Sequence, residues 1–260
     1  MDLQLRGRRA IVTGGSKGLG AAIARELVQE GAAVAICARN AEELEATAAE
    51  LRKLGGPVTA LVADVTKADQ VAGFIDQAVA ELGGLEVLVN NAGRAHPGNF
   101  ASLGDEDFQA DLEVKLFAQI RCCRAALPHL RRAGGGAIIN VNAVYGRQPD
   151  PTFFATSVDR AACLAFNKAL AIEVAKEKIL VNSVNIGFVR TPQWDAIHQR
   201  RAPQLSAAEF FAQTAETEVP LGRFGEADEV SGLVAFLASA RASYITGASI
   251  DISGGMGRYV

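Results

Sequence analysis

A glycine-rich turn near the start of the chain limits what it can fold into. The turn, TGGSKGLG at residues 13–20, stands between an apolar run at residues 9–12 and a helical pattern at residues 21–30. Glycines there let the backbone approach a pyrophosphate, whose charge then meets the free N–H groups and positive dipole of the helix N-terminus. The turn therefore predicts a dinucleotide site. A turn that binds nothing is the alternative, but a second apolar strand ends near Arg39, where a dinucleotide fold requires it.

Strand and helix patterns alternate along the rest of the chain. Helical patterns separate further apolar runs at residues 32–38, 58–63, 86–90, 137–141, 179–185 and 249–252. Repeated β-α-β units produce parallel sheets with right-handed crossovers. The sequence thus predicts an α/β fold, a Rossmann-like, doubly wound, seven-stranded parallel sheet with helices on both faces. We expect one NAD(P)-binding domain over residues 1–260, with a substrate lid at about 188–218.

Composition excludes several kinds of partner. A net charge of −3 over 260 residues leaves no electrostatic footprint for nucleic acid or an anionic membrane. No run approaches the roughly 18 apolar residues of a membrane-spanning helix, and the N-terminus does not resemble a signal peptide. The four cysteines lack metal-ligand spacing, so we expect buried thiols and no metal. These features favour a cytoplasmic protein with a small-molecule substrate.

Motifs spread over the whole chain carry a family resemblance. The TGxxxGxG spacing of residues 13–20 is followed by NNAG at 90–93, PLGRFG at 220–225, SYITG at 243–247 and GG at 254–255. Together they resemble the short-chain dehydrogenase/reductase family. The resemblance implies that Asp64 meets the adenine and Thr191 the nicotinamide. The cofactor-binding residues expected on these grounds are Gly14, Ser16, Lys17, Gly18, Leu19, Gly20, Arg39, Asp64, Val65, Asn91, Ala92, Gly93, Arg160 and Thr191.

Arg39 bears on the choice between the two nicotinamide cofactors. A fold that prefers NAD carries an acidic residue after the second strand, where this chain has Ala38 and Arg39. An arginine can bind a 2′-phosphate bidentately, and Lys17 adds a second positive charge. We therefore expect NADP(H) in preference to NAD(H). The alternative is that Arg39 is a solvated loop residue.

The resemblance also implies where the chemistry should lie, and there the chain departs from the family. The family uses a Tyr as general acid/base, a Lys four residues later, an orienting Ser and an Asn that holds a relay water. The corresponding positions carry Thr156, Arg160, Ala143 and Lys115. A threonine hydroxyl is far less acidic than a phenol, and an arginine does not give up its proton. We therefore expect measurable NADPH binding, but little or no reduction of generic ketones, aldehydes and quinones.

Three other residues near the predicted site each have two interpretations. Tyr145 follows the fifth strand and serves either as an aromatic wall or as a displaced acid. His96 is either a surface loop residue or a proton donor. Lys115 either acts as a general acid in the pocket or pairs outside it with Glu113 or Asp111. Two functions follow: an NADP(H)-dependent oxidoreductase of a carbonyl or alcohol with a non-standard acid/base, or an inactive or non-redox protein that keeps a dinucleotide site for structure or sensing.

Two long helical patterns suggest self-association. The patterns at residues 105–131 and 152–175 carry more apolar residues than one sheet face can cover, and the family resemblance implies a homotetramer or homodimer built on these helices. The apolar residues concerned are Leu112, Leu116, Ile120, Leu164, Phe166 and Leu170.

Overall fold

Seven parallel strands form one sheet in the computed structural model, which describes residues 2–259. Met1 and Val260 of the expected 1–260 domain lie outside the described residues. The order across the sheet is β3-β2-β1-β4-β5-β6-β7, which confirms the doubly wound prediction. Strand order reverses between β1 and β4, where such sheets bind their ligands. The strands are β1 (Arg9–Thr13), β2 (Ala33–Ala38), β3 (Val58–Val62), β4 (Val87–Asn90), β5 (Gly136–Ala143), β6 (Ile179–Ile186) and β7 (Ser249–Ile252).

Helices cover both faces of the sheet because alternate strand residues point to opposite sides. Val12 faces a core formed with α1, α2 and α9. Its neighbour Ile11 faces a second core, formed with α3, α5 and α6. The helices are α1 (Gly18–Gln29), α2 (Ala41–Arg52), α3 (Ala68–Leu82), α4 (Asp105–Leu112), α5 (Ala118–Arg132), α6 (Phe154–Val174), α7 (Pro192–Arg201), α8 (Ala207–Glu218) and α9 (Ala227–Ala238).

The single helix expected at residues 105–131 is interrupted. A π-helical turn, Glu113–Phe117, separates α4 from α5. Such a turn takes up one extra residue, so the side chains after it are rotated by about 100° relative to an unbroken α-helix. Residues 105–132 are otherwise helical throughout, as expected, and the apolar pattern did not predict the turn because a one-residue insertion leaves the pattern on either side intact. The turn packs against α6 and carries Lys115, whose side chain is fully buried.

Residues 188–218 form two helices over the end of the sheet. α7 and α8 match the two short helical patterns of this segment. Their apolar side chains pack in a separate aromatic cluster that contains Phe188, Trp194, Phe210, Phe211 and Phe224. Phe188 and Trp194 lie with ring centroids 4.5 Å apart. This cluster attaches the segment to the sheet independently of the two main cores.

The apolar residues expected to face a second subunit are distributed differently. Leu170 belongs to the core, while Leu112, Leu116, Ile120, Leu164 and Phe166 are half-buried. The exposed apolar side chains of α6 are instead Val158 and Ile172, at 50% and 70% exposure. The helical phase of α6 explains the difference, because Leu170 lies on its inner face and Ile172 lies about 200° further round. α6 thus presents an apolar outer face, and pairing between subunits through these helices stays a prediction.

Within residues 2–259 no helix is long and apolar enough to cross a membrane. In the same range, no group of three or more His, Cys, Asp or Glu side chains is arranged to hold a metal ion. Cys37, Cys122, Cys123 and Cys163 are free and buried.

Candidate functional site

A long cleft opens at the carboxyl ends of β1, β2, β4 and β5. Its volume is about 1450 Å³. All the residues expected to bind the cofactor line it, from the glycine-rich turn through Arg39 and Asp64 to Thr191. Ala143, Tyr145 and Thr156 line the same cleft, whereas Lys115 lies behind its wall. The sheet therefore brings the predicted cofactor and catalytic positions together.

In the glycine-rich turn, backbone segments lie so close together that only glycine fits at two positions. Gly14 has a φ of +67°, and a Cβ there would lie 2.9 Å from the Cα of Ala92. A Cβ on Gly20 would collide with the carbonyl oxygen of Gly14. Asn91 donates from its side chain to the carbonyls of Thr13 and Gly14, at 2.9 and 3.2 Å, and so holds the turn in place. No described side chain caps the first N–H groups of α1, which fits an anionic ligand at this helix end.

The charged residues near the turn have different partners. The Nζ of Lys17 lies 3.0 Å from the carboxylate of Glu43 on α2. Arg39 is exposed at the end of β2, and its side chain has no hydrogen bond or ion pair within residues 2–259. Asp64 accepts hydrogen bonds from the amide and hydroxyl of Thr66, at 2.9 and 2.8 Å. Of the two cations expected to meet a phosphate, Arg39 is the one not already paired.

Lys115 and Thr156 are joined behind the cleft wall. The Nζ of Lys115 donates to the Thr156 hydroxyl at 2.8 Å and also contacts the carboxylate of Asp111. Burial, and then the positive charge of Arg160, lowers the pKa of Lys115 to about 8, although Asp111 acts in the opposite direction. The expected pairing with Asp111 therefore exists, but it lies in the interior. Glu113, the other expected partner, pairs with Arg121 at 2.7 Å.

Arg160 and Asp159 complete the buried charges. Nη1 of Arg160 donates to the carbonyl of Val141 at 2.9 Å, which fixes the guanidinium beside the cleft. Its Nε is buried and has no protein partner among the described residues. Asp159 is fully buried, and burial, followed by the nearby Asp111 carboxyl, raises the pKa of Asp159 to about 7. Two basic and two acidic side chains thus lie together beneath Thr156.

The opposite wall of the cleft is aromatic. The ring of Tyr145 stacks on that of Phe153, with centroids 5.1 Å apart. Burial raises the pKa of Tyr145 above its usual range, so its hydroxyl is a poorer acid than an exposed phenol. Phe188 and Trp194 line the same region. Ala143 offers no polar side chain at the position where the family has its serine.

His96 lies at the outer edge of the buried charges. Its side chain is 20% exposed. Nδ1 of His96 is 3.6 Å from Oδ1 of Asp111, and Nε2 is 3.4 Å from Oδ1 of Asp107. His96 therefore stands between a buried and a partly exposed carboxylate, and it does not line the cleft.

Comparison with known proteins settles the family. A profile described as Enoyl-(Acyl carrier protein) reductase matches residues 14–257. The chain belongs to the short-chain dehydrogenase/reductase family. Among its curated relatives, 4-formylbenzenesulfonate dehydrogenase of Comamonas testosteroni is 37% identical over 254 residues, which is 97% of this chain and 99% of the relative.

Two solved structures are close in fold. L-sorbose reductase of Gluconobacter frateurii, complexed with NADPH and L-sorbose, gives a TM-score of 0.96 at 32% identity over 100% of both chains. An NADPH-bound short-chain oxidoreductase of Pseudomonas aeruginosa PAO1, described as containing an atypical catalytic center, gives 0.92 at 39% identity. That comparison covers 97% of this chain and 98% of the other.

Sequence reasoning missed part of the site of this short-chain dehydrogenase/reductase. It named Asp111 only as a partner of Lys115 outside the pocket, and it did not name Asp159. A signal existed for each, because Asp111 stands four residues before Lys115 and Asp159 three residues after Thr156. The link between Thr156 and Lys115 had no such signal, since it joins two helices far apart in sequence.

Proposed function

We propose that the chain is an NADP(H)-dependent oxidoreductase that interconverts a carbonyl and an alcohol, with a hydrogen-bonded pair of Thr156 and Lys115 as its acid/base. Membership of an oxidoreductase family supports this proposal. The observation that carries it is the 2.8 Å contact between the buried Nζ of Lys115 and the hydroxyl of Thr156, a residue that lines the cleft. A buried ammonium with a lowered pKa is a usable proton donor near neutral pH.

The cleft fits the proposed cofactor. The glycine-rich turn leaves room for a pyrophosphate at the N-terminus of α1. Arg39 lies where a 2′-phosphate distinguishes NADP(H) from NAD(H). Two of the similar solved structures contain NADPH. When bound, this cofactor would supply the hydride that reaches the carbonyl carbon.

The chain's own residues would supply the proton. In reduction, the Thr156 hydroxyl donates its proton to the substrate oxygen while the ammonium of Lys115 donates one to Thr156. Because the two transfers are coupled, Thr156 never carries a free negative charge, which its weakly acidic hydroxyl would not tolerate. Lys115 is left neutral. In alcohol oxidation the same protons move in reverse, and Lys115 begins without its proton.

Arg160 would have a binding role. A guanidinium keeps its proton under all ordinary conditions, so it cannot replace the lysine as an acid. Its anchoring to the carbonyl of Val141 and its place beside Gly93 suit it to hold the cofactor ribose. Its charge also helps to hold the pKa of Lys115 low. We therefore assign Arg160 to cofactor binding.

The aromatic wall indicates the kind of substrate. Tyr145, Phe153, Phe188 and Trp194 surround the space in front of Thr156 with apolar surface. Such a wall favours a hydrophobic carbonyl compound or alcohol over a small polar one. We further propose that the segment 188–218, which holds α7 and α8, acts as a lid that closes over this substrate.

A carbonyl panel with NADPH tests the proposal. The panel contains L-sorbose and 4-formylbenzenesulfonate, compounds that occur in the names of similar proteins, with an aromatic ketone and a quinone. Lys115→Met is combined with Asp111→Asn, because removing one partner of a buried ion pair costs about 3–5 kcal/mol of folding stability. Surface Lys176→Met is the control. We expect wild-type turnover that the paired variant loses; turnover that the variant keeps would contradict the role of Lys115.

The same panel tests the second function, in which the protein binds NADPH without reducing a substrate. Ala143 provides no donor for the substrate oxygen, and Thr156 is the only hydroxyl of the four altered positions. A protein that binds NADPH for structure or sensing would show cofactor binding by calorimetry and no turnover across the panel. Failure to bind NADPH would contradict both functions.

We also propose that the chain forms a homodimer or homotetramer through the outer faces of α5 and α6. The support is the exposed apolar face of α6, which includes Val158 and Ile172, and the exposed ring of Phe117 just before α5. Apolar side chains exposed together on one helix face are typical of protein interfaces.

A further inference from the structure

A line of polar side chains leads from the cleft to the surface. Behind Thr156 come Lys115 and Asp111, which are fully buried. Beyond Asp111 come His96, at 20% exposure, and Asp107, whose side chain is 42% exposed. Exposure to water thus rises from the buried pair of Lys115 and Asp111 through His96 to Asp107.

We propose that His96 and Asp111 form a side-chain proton path that connects Lys115 to solvent, by a route that avoids the cleft. The inference rests on the proposed acid role of Lys115. It makes His96 a positioning and relay residue, which does not itself touch the substrate. Bound cofactor and substrate would cover Thr156, so a second route is needed to return the proton that Lys115 has given up.

Two unpartnered atoms support the path. Nδ1 of His96 and Oδ1 of Asp111 are both buried, and neither has a hydrogen-bond partner within the described part of the chain. They face each other at 3.6 Å, which exceeds a hydrogen bond by a few tenths of an ångström. Polar atoms that are buried without partners are costly, so small movements that join these two are favoured. Catalytic contacts often shorten in this way only when ligands bind.

The outer end of the path is held in place. Oδ2 of Asp107 accepts from the amide of Gly104 at 2.9 Å, which fixes the carboxylate at the start of α4. Its other oxygen remains available to His96, 3.4 Å from Nε2. An imidazole ordinarily gains and loses protons near neutral pH and has one nitrogen for each direction. His96 can therefore take a proton at Nε2 and release one from Nδ1.

The proton balance is complete without an added reactant. Hydronium or a buffer acid delivers a solvent proton to Nε2 of His96, and the resulting imidazolium gives its Nδ1 proton to Oδ1 of Asp111. Rotation of that carboxyl group turns the new O–H toward the neutral amine of Lys115, which becomes an ammonium again. The other charged groups that face this path are Asp159 and Arg160 on α6, and they remain in place throughout.

The test measures proton exchange at Lys115 in the protein without cofactor or substrate. Thr156→Val removes the hydroxyl that leads to the cleft, so the remaining exchange of the buried ammonium reports the route through His96. In this background, His96→Asn keeps a donor toward Asp111 but cannot pass protons, and His96→Gln is the second variant. The control is His129→Gln, because His129 pairs with Asp76 at 3.0 Å elsewhere on the protein. Exchange with D₂O is followed by NMR of ¹⁵N-labelled lysine.

General acid–base groups typically accelerate proton transfer by a hundredfold or more, so we expect both His96 variants to slow the exchange by at least about tenfold. His129→Gln should leave it unchanged. Exchange that is as fast in His96→Asn as in the Thr156→Val background would overturn the path. A wild-type protein that turns over no carbonyl would count against the proposed function alone, because the exchange needs no turnover.

Discussion

The side-chain nitrogen of Lys115, on the π-helical turn, lies 2.8 Å from the hydroxyl oxygen of Thr156 on α6. Thr156 lines the cleft, and its hydroxyl accepts from this buried cation and lies 3.4 Å from Oδ2 of Asp111, to which it can donate. An isolated threonine is too weak an acid for carbonyl reduction, but a hydroxyl that is protonated again as it donates needs no stable alkoxide. The pair, and not either residue alone, is the unit on which the following predictions depend.

Replacement of Thr156 should separate catalysis from binding. Thr156→Val keeps the shape but removes the hydroxyl, so we expect kcat to fall by about 10²-fold or more, a loss typical of general acids. Thr156→Ser keeps the hydroxyl and should retain most of the activity. The affinity for NADPH, measured by calorimetry, should be similar in all three proteins.

Thermal unfolding provides the control for this series. Thr156→Val leaves the buried ammonium without one hydrogen bond, which costs about 1–3 kcal/mol of stability. A variant that is folded at the assay temperature and still reduces substrate at the wild-type rate would exclude the hydroxyl as the donor.

Reduction and oxidation should depend on pH in opposite ways. The pKa of Lys115 is lowered to about 8 by burial and then by Arg160, so the ammonium predominates below that pH. Reduction consumes its proton, and kcat should therefore fall above pH 8. Oxidation needs the neutral amine, and its rate should rise with pH and level off above about the same value. The residual activity of the double variant Lys115→Met, Asp111→Asn should not show this change in rate near pH 8.

Arg39 should determine the preference for the phosphorylated cofactor. Its side chain has no partner in the described structure, and a charge-assisted contact with a 2′-phosphate is strong. We expect Arg39→Gln to weaken NADPH binding by about tenfold or more and to leave NADH binding nearly unchanged. Lys17→Gln should change either affinity by about threefold or less, because Glu43 already neutralises Lys17. Calorimetry of the wild type and both variants with each cofactor gives the six affinities, and equal binding of NADPH and NADH by the wild type would contradict this assignment.

Tyr145 should prove dispensable as an acid. Its ring stacks on Phe153, and burial raises the pKa of its hydroxyl. Tyr145→Phe keeps the stacking surface, so kcat should stay within about threefold of the wild-type value, as expected when no transition-state contact is lost. Tyr145→Ala removes that surface and should raise KM for a hydrophobic substrate. Loss of turnover in Tyr145→Phe would instead identify this displaced tyrosine as the proton donor.

The residues that line the cleft could be predicted from the sequence more fully than the contacts between the buried side chains behind it. Strand ends and the glycine-rich turn have local signatures, and the residues named from them, around Gly14, Arg39, Asn91 and Thr191, line one cleft. The contact between Lys115 and Thr156 depends on the rotation introduced by the π-helical turn. Apolar periodicity does not reveal a one-residue insertion, and the direction of Lys115 was therefore left open.

The sequence also does not reveal which charged side chains are buried together. Asp159 has a surface-like residue type, and only the packing of α6 against α4 and the π-helical turn shows that it is buried beside Asp111. Its raised pKa follows from that burial and not from any neighbour in the sequence. The proximity of His96 to Asp111 likewise needs the fold, because a loop after β4 and a helix after it are brought together only by the tertiary structure.

The outer face of α6 should control assembly. Val158 and Ile172 are 50% and 70% exposed and stand fourteen residues apart, which places them on nearly the same side of the helix, with Ala161, Ala165 and Ala169 exposed between them. If two copies pair here, Ile172→Glu buries an unpaired carboxylate in the interface, and a loss of about 2 kcal/mol or more in association free energy is expected. Light scattering at micromolar concentration should show a dimer or tetramer for the wild type and a smaller species for Ile172→Glu.

The control variant is Val62→Glu. It changes an apolar side chain of similar exposure on β3, at the edge of the sheet, and should leave the assembly intact. A wild-type protein that is a stable monomer would reject the interface.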